Sequence, residues 1–339
     1  MNKPKRIILS RTDNLGDVVL TIPMAGLLKQ QFPGVEIIFI GKTYSEAIIK
    51  TSKHIDEFVN IDELQKQNSK NQIKLFKDLK ADAIIHVFPN KLIAKLAKIV
   101  KVPLRIGTSH RIFHWITCNK LINLGRKNSE LHEAQLNIKL LSALGVNTDI
   151  SLEEIPEYYG FENYIELPFE IEKLLSPDKY NLILHPKSKG SAREWGLKNF
   201  STLISILPKD KFKIFVTGTS AEGELMTELF ATHKEIVDLT GRLNLYELVS
   251  FISKADGLVA ASTGPLHIAA ACGIQAIGIF APMRPIHPGR WQALGKKADF
   301  IVKEEYCDDC RKTQDCHCIR DISPLQVKEK LMNTNSPNT

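Results

Sequence analysis

The stretch RTDNLGDVVLTIP, Arg11 to Pro23, places two carboxylates, Asp13 and Asp17, and a glycine, Gly16, directly after the apolar run RIILS. A short apolar run, a polar turn and a longer apolar-periodic segment read as strand, turn and helix. Ligands of open α/β sheets bind at that carboxyl edge. One Asp there can cap the helix by accepting hydrogen bonds from its free backbone N–H groups. Only one cap is needed. Because Gly16 lets another molecule approach the backbone closely, the second carboxylate is a candidate general base. The helix is expected to run through VVLTIPMAGLLKQQF, with Pro23 inside it as a kink.

A second constellation is ASTGPLHIAAACG, Ala261 to Gly273. Ser262 or Thr263 suits a helix cap, Pro265 the first turn and Gly273 the end. That punctuation leaves His267 unexplained. Beside Thr263 and Gly264, it would add a donor to the positive end of a helix, which suits an anion such as a diphosphate; a structural histidine is the plainer reading. HPKSKGSAREW adds Lys187, Ser188, Lys189 and Arg193 in a Gly/Ser-rich loop after a strand. Cations so placed can close over phosphate oxygens, the alternative being a solvated basic loop. Four of the six cysteines fall in CDDCRKTQDCHC. Cys307, Cys310, Cys316 and Cys318 offer enough thiolates for a tetrahedral structural zinc, or are a reduced cluster that merely packs.

The elements that must position these groups alternate. RIILS (6–10), VEIIFIG (35–41), DAIIHVF (82–88) and LRIGT (104–108) read as strands with helical stretches between them, which implies a parallel sheet covered on both faces. Asn147 to Tyr180 breaks the pattern and reads as a connection between lobes. NLILHPK (181–187), FKIFVTG (212–218), GLVAAS (257–262) and AIGIFAP (276–282) then begin a second sheet. Gly257 to Met283 lacks Asp, Glu, Lys and Arg, yet its Pro265, His267, glycines and hydroxyl residues read as buried strand, turn, helix and strand, not a membrane span.

At 339 residues and 43% hydrophobic content, two lobes with a cleft are expected rather than one core. The net charge of +7 is modest and points to an anionic ligand or a membrane surface, not to nucleic acid. MNKPKRIILSRTD carries too short an apolar run for a signal peptide, so export is not expected and the thiols should stay reduced. No G-x-G-x-x-G follows a strand and no G-x-x-x-x-G-K-[ST] occurs, which leaves no support for a dinucleotide fingerprint or a P-loop. Between Asp82 and Glu130 there is no acidic residue, while Lys91, Lys95, Lys98, Lys101, Arg105, Arg111, Lys120, Arg126 and Lys127 all fall in the gap. With His110, Phe113, His114 and Trp115 interleaved, this region suits an anionic acceptor or acidic lipid headgroups.

Six segments together resemble the ADP-heptose:lipopolysaccharide heptosyltransferases of glycosyltransferase family 9. They are LGDVVLTIP with Pro33-Gly34 after it, RIGT (105–108), HEAQLNIKLLSALG (132–145), HPKSKGSAREWGLKNF (185–200), LTGRLNLYELVSFISKAD (239–256) and STGPLHIAAACG (262–273). The resemblance implies an α/β GT-B fold, two Rossmann-like parallel-sheet domains facing a cleft. Residues 1–160 would bind the acceptor and 161–332 the nucleotide sugar, with 333–339 a disordered tail. It further implies inverting, metal-independent transfer of a heptose from ADP-heptose to a lipopolysaccharide core or related glycan, at the cytoplasmic face of the inner membrane.

Under that resemblance Asp17 is the base and Asp13 shapes the turn. Lys187, Ser188, Lys189, Arg193, Ser262, Thr263, Gly264, Pro265 and His267 surround the diphosphate. Glu222, Thr240 and Gly241 meet the nucleoside, while Gly16, Asp13, Arg105 and Arg111 line the acceptor side. Two positions depart from the family: Ser262 stands where an Asp is common, removing a carboxylate suited to sugar hydroxyls, and Arg193 where a Lys is common. A transferase using another nucleotide sugar, a GT-B sugar-nucleotide epimerase and a non-catalytic sugar-nucleotide-binding protein are the alternatives.

Overall fold

A computed structural model describes residues 3–126, 129–190, 192–284, 286–303, 307, 309–311, 313 and 316–333. Lys127, Ser191 and residues 334–339 of the expected disordered tail lie outside the described residues, whereas Asn333 ends the helix Pro324–Asn333. The chain divides into two units, Met1–Asn163 and Tyr164–Thr339.

The first unit carries β1 (Arg6–Ser10), β2 (Glu36–Gly41), β3 (Glu57–Asn60), β4 (Ala83–His86), β5 (Leu104–Thr108) and β6 (Lys120–Ile122). All pair in parallel, in the order β3-β2-β1-β4-β5-β6. At its centre Ile7 of β1 lies between Ile37 of β2 and Ala83 of β4, and all three are buried, as a strand covered on both faces requires. The second unit carries β7 (Tyr180–His185), β8 (Phe212–Val216), β9 (Val237–Asp238), β10 (Gly257–Ala261), β11 (Gln275–Phe280) and β12 (Ala298–Val302). Its parallel order is β12-β11-β10-β7-β8-β9, the same winding as the first sheet when counted from β7. Each sheet therefore reverses its winding once, between β1 and β4 and between β7 and β10, and open sheets bind ligands at such a switch point.

Three details differ from expectation. The sequence pattern reveals the central strands but not β3, β6, β9 and β12, which are the four sheet edges. Pro23 does not kink one long helix. A first helix, α1, spans Leu15–Val19, and Pro23 opens a second, α2, over Pro23–Gln31, where its missing N–H costs nothing. Finally, part of the expected connection is built into the first unit: Ser52 bridges Phe161, the Ser52 hydroxyl donates to the Tyr159 carbonyl at 2.6 Å, and Tyr159 is buried. Gly257 to Met283 forms β10, the helix Gly264–Ala271 and β11. No helix among the described residues is long and apolar enough to cross a membrane.

Gly26 of α2 packs against this returning segment, and a Cβ placed there would lie 2.5 Å from the Tyr158 carbonyl oxygen. Gly26→Ala should therefore cost about 1–3 kcal/mol through forced backbone movement. Thermal unfolding followed by circular dichroism should show a lower Tm, and an unchanged Tm would refute this packing.

Candidate active site

The turn after β1 is organised by a residue that the sequence pattern did not single out, Arg11. Its guanidinium is 3% exposed and grips Asp13 with two hydrogen bonds, Nε to Oδ1 at 2.7 Å and Nη2 to Oδ2 at 2.9 Å. The same Nη2 donates to Asp17, while Nη1 reaches Glu133 at 3.2 Å and the Asn137 amide oxygen at 2.9 Å. Glu133 and Asn137 lie one turn apart on the helix Glu133–Lys139, so both face the same side. Asn137 also donates to the Leu20 carbonyl at 3.1 Å and the Thr21 hydroxyl at 3.2 Å, tying that helix to the end of α1. Arg126 joins from the far side, donating to Glu133, to Asn137 at 3.0 Å and to the Val87 carbonyl at 3.3 Å.

Neither Asp13 nor Asp17 caps α1. Asn14 holds the cap position and makes no side-chain cap bond, and both carboxylates are hydrogen-bonded to Arg11. Three carboxylates share two guanidinium groups, so one negative charge is left over. Burial pushes the Asp17 carboxyl up to about 6; Arg11 pulls it down, Asp13 and Glu133 push it further up, and an Asn14 side-chain hydrogen bond lowers it. Burial works against the charge on Arg11 as well, but its three carboxylates hold the guanidinium above its ordinary range. Tyr44, just beyond β2, is pushed up to about 12 by burial and by the charges of Asp13 and Asp17, which marks it as a neighbour of this turn.

In the second unit the loop after β7 is built around another unforeseen carboxylate, Glu194. It accepts from Lys187 Nζ at 2.5 Å, from the Ser188 backbone N–H at 3.0 Å and from the Ser188 hydroxyl at 3.2 Å, a hydroxyl also within 3.0 Å of the Ala192 carbonyl. Lys189 and Gly190 follow with φ of +48° and +79°, and Lys189 is exposed at the loop's tip. Arg193 donates through Nε at 3.2 Å and Nη2 at 2.5 Å to the Cys310 carbonyl.

After β10, Ser262 precedes Thr263, the N-cap of the helix Gly264–Ala271, with Pro265 in its first turn and His267 buried in the same stretch. Thr263 makes no side-chain cap bond, and its buried Oγ1 has no partner among the described residues. The amino end of this helix is thus not closed by its own cap side chain. Beyond β8, Glu222 completes a capping box, its Oε2 accepting from the Thr219 N–H at 2.7 Å and hydroxyl at 3.0 Å. The Thr240-Gly241 turn beyond β9 presses on it: a Cβ on Gly223 would meet Thr240 Oγ1 at 2.3 Å, and one on Gly241, at φ +68°, would meet Ser220 Oγ at 2.0 Å.

The expected residues therefore gather in two groups at the carboxyl edges of the sheets, with one exception. Arg105 sits near the amino end of β5, where it donates to the Val102 carbonyl and, at 2.8 Å, to the Thr117 carbonyl. It braces the chain on either side of β5 at the amino edge of the sheet, opposite the edge where the other expected residues lie. Arg111 is placed beyond the carboxyl end of β5, exposed, at the N-cap of the helix Ile112–Thr117. Cys307, Cys310, Cys316 and Cys318 are all buried, their sulfur atoms within 4.8 Å of one another.

The family profile described as glycosyltransferase family 9 (heptosyltransferase) matches residues 72–318. The chain belongs to this family. It is a glycosyltransferase. A relative from Haemophilus influenzae described as a putative glycosyltransferase is 28% identical over 309 residues, covering 86% of each chain. Lipooligosaccharide heptosyltransferase 2 of Campylobacter jejuni serotype O:6 is 25% identical over 340 residues, covering 95% of this chain and 97% of the relative. Among solved structures, Escherichia coli heptosyltransferase WaaC with ADP is similar at a TM-score of 0.72 and 16% identity, covering 98% of this chain and 100% of that one. This likeness spans both units, so the two sheets make up the GT-B fold.

The strained charge balance around Asp17 can be titrated directly. The Asp17 carboxyl, followed by carbon-detected NMR, should titrate with a midpoint near 6, and Asp13→Asn should lower that midpoint by removing a repelling charge. The folded value lies above the unfolded one, so this group's contribution to stability is complete below about pH 4 and lost as pH rises through 6. A midpoint at the ordinary carboxylate value, unmoved by Asp13→Asn, would contradict the network.

Proposed function

We propose that this glycosyltransferase moves a heptose from ADP-heptose to a lipopolysaccharide core or related glycan, with inversion at the anomeric carbon and with Asp17 as general base. The observation that carries the reading is the Asp17 carboxylate: it sits just beyond the carboxyl end of the central strand β1, is held by Arg11 and has its pKa raised to about 6. A base with that pKa is mostly ionised at neutral pH yet basic enough to take a proton from a hydroxyl in the transition state. The heptosyltransferase relative of C. jejuni, matched over nearly the whole chain, supports the heptose. A structure of the E. coli enzyme with ADP-2-deoxy-2-fluoro heptose, similar at a TM-score of 0.70, supports the fold such a reaction uses.

In this reaction the first unit carries the acceptor, with Gly16, Asp13 and Arg111 on the acceptor side, and the second carries the donor. Asp17 accepts the acceptor hydroxyl's proton as that oxygen bonds the anomeric carbon. The bond from that carbon to the diphosphate breaks, and ADP leaves with the electron pair. Charge growing on the diphosphate is met by the amino end of the helix Gly264–Ala271, by Thr263 and His267, and by Ser188, Lys187, Lys189 and Arg193. Fixed donors of this kind supply the stabilisation that other transferases take from a divalent ion, so the reaction is assigned no catalytic metal. Glu222, Thr240 and Gly241 face the nucleoside. Ser262, without a carboxylate for sugar hydroxyls, favours a second reading in which the donor is another nucleotide sugar.

Asp17→Asn should lower turnover by about 10²–10⁴-fold while donor binding is retained. Calorimetry with ADP, UDP and GDP should show preference for ADP, weakened in His267→Ala. Near-normal turnover in Asp17→Asn would remove the base, and preference for UDP or GDP would remove ADP-heptose while leaving the transferase.

A lipid-linked acceptor also needs a surface. The helix Ile112–Thr117 exposes Ile112, Trp115 and Ile116 at 90%, 65% and 68%, on one face at i, i+3 and i+4, beside Arg111. The helix Lys91–Ile99, which packs on it, turns Lys91, Lys95 and Lys98 to solvent. An apolar stripe flanked by cations suits an anionic bilayer, and peripheral contact at the cytoplasmic face is proposed to run through it. Sedimentation with phosphatidylglycerol vesicles should be lost at high salt and reduced in Ile112→Ser/Trp115→Ser/Ile116→Ser. Equal sedimentation of that variant would place the contact elsewhere.

A further inference from the structure

The sulfur atoms of Cys307, Cys310, Cys316 and Cys318 converge on one point. Cys310 and Cys318 are 2.9 Å apart, Cys316 lies 3.2 Å from each of them, and Cys307 is 3.3 Å from Cys316. None of the four is in a disulfide, and all are buried in the core of the second unit beside Trp195, Ile319 and Ile322. A tetrahedral ion with bonds of about 2.3 Å separates its sulfurs by about 3.8 Å, so each sulfur need retreat only a few tenths of an ångström to admit one. The backbone amides of Asp309 and Cys310 hydrogen-bond the Cys307 sulfur. Second-shell donors of this sort hold a metal thiolate in orientation. Among the described residues of this segment, the regular structure is a three-residue turn, Asp309–Arg311, and a four-residue helix, His317–Arg320.

This knot abuts the loop after β7. The Cys310 carbonyl is the acceptor that Arg193 uses. Two residues on, the Trp195 indole N–H donates to the Ile322 carbonyl at 2.8 Å, and the Asn199 amide reaches the Arg320 carbonyl at 2.6 Å. Three donors from the loop and the helix after it thus end on backbone carbonyls in or just beyond the cysteine segment.

We infer that Cys307, Cys310, Cys316 and Cys318 bind one zinc ion as a closed tetrathiolate site, and that the ion fixes the Cys310 carbonyl and so positions Arg193 in the donor loop. Four thiolates leave no open coordination position, so the ion is structural and takes no part in bond making. Arg193 is a positioning target of the site. That second half rests on the donor-site reading given above; the zinc site does not.

The full chain, purified in reductant without a metal-affinity tag, is assayed by elemental analysis and native mass spectrometry. One zinc per chain, absent from Cys310→Ser and Cys316→Ser but kept in Cys118→Ser, supports the site. Should the serine variants fail to fold, cobalt exchanged into the wild-type chain gives a second measurement, and the intense sulfur-to-cobalt absorption of a tetrathiolate is expected. No bound metal, a pair of disulfides, or cobalt without that absorption overturns the site, and one equivalent of iron overturns the choice of zinc. For the positioning role, ADP affinity is measured by calorimetry before and after metal removal, and again after zinc is restored. A loss of about tenfold that zinc reverses is expected. Unchanged affinity would sink the positioning role alone, whereas a zinc-loaded protein that binds no ADP would sink the donor-site reading and leave the metal site standing.

Discussion

One buried cation, Arg11, decides the conformation of the turn that follows β1. Taking a guanidinium out of water is costly, and the cost is recovered only when its donors are met by well-placed charged acceptors. Arg11 finds them in Asp13, Asp17 and Glu133, with Asn137 as the neutral fourth. These partners come from the turn itself and from a helix more than a hundred residues away. The ion network therefore does more than neutralise charge. It locks the Asp-x-x-Gly-Asp turn against the helix Glu133–Lys139, and removal of Arg11 would leave its buried carboxylates without their shared counter-charge, at a cost of about 3–5 kcal/mol.

For the proposed role of Asp17 as base, sharing one guanidinium among several carboxylates also solves a chemical problem. An Asp in an exclusive ion pair is a weak base, and an Asp buried alone is protonated at neutral pH. At Asp17 the pull of Arg11 is divided, the repulsion of Asp13 and Glu133 is retained, and burial raises the pKa only to about 6. The second unit repeats the winding with the opposite electrostatics. Its switch-point loops carry lysines, an arginine and a helix amino end that no cap side chain satisfies, the complement of a diphosphate in the proposed reaction.

How far this was legible in the chain depends on the range of the interaction. Central strands such as Ala83–His86 and Gly257–Ala261 are continuous apolar runs because both faces are covered, and they announce themselves. The edge strands Glu57–Asn60 and Lys120–Ile122 are short, mixed in polarity and half exposed, so no periodicity separates them from loops. Asp17 was legible as a carboxylate in excess of what a helix cap needs. Arg11 was not, because an Arg at a strand end looks like any surface cation until Glu133 and Asn137 are folded onto it; their i, i+4 spacing within HEAQLNIK was the available signal. The placement of Arg105 was hidden for a related reason. A run of basic residues shows that a region is cationic, but not which end of a strand each charge occupies.

In the loop after β7 the cations are held by partners within the chain. Clustered positive charges in a loop repel one another and would scatter it. Glu194 prevents this by binding Lys187 together with the N–H and hydroxyl of Ser188, and the Cys310 carbonyl does the same for Arg193. A diphosphate entering such a loop must compete with Glu194 for Lys187, so part of the attraction is withheld from the ground state. As the bond to the sugar breaks and the diphosphate gains charge, it competes better, and the cation's hold on it strengthens. Interactions that grow along the reaction coordinate lower the barrier, whereas those already complete in the bound state only tighten binding. On the proposed reaction, Glu194 thus converts binding strength into leaving-group stabilisation without itself touching the reacting atoms.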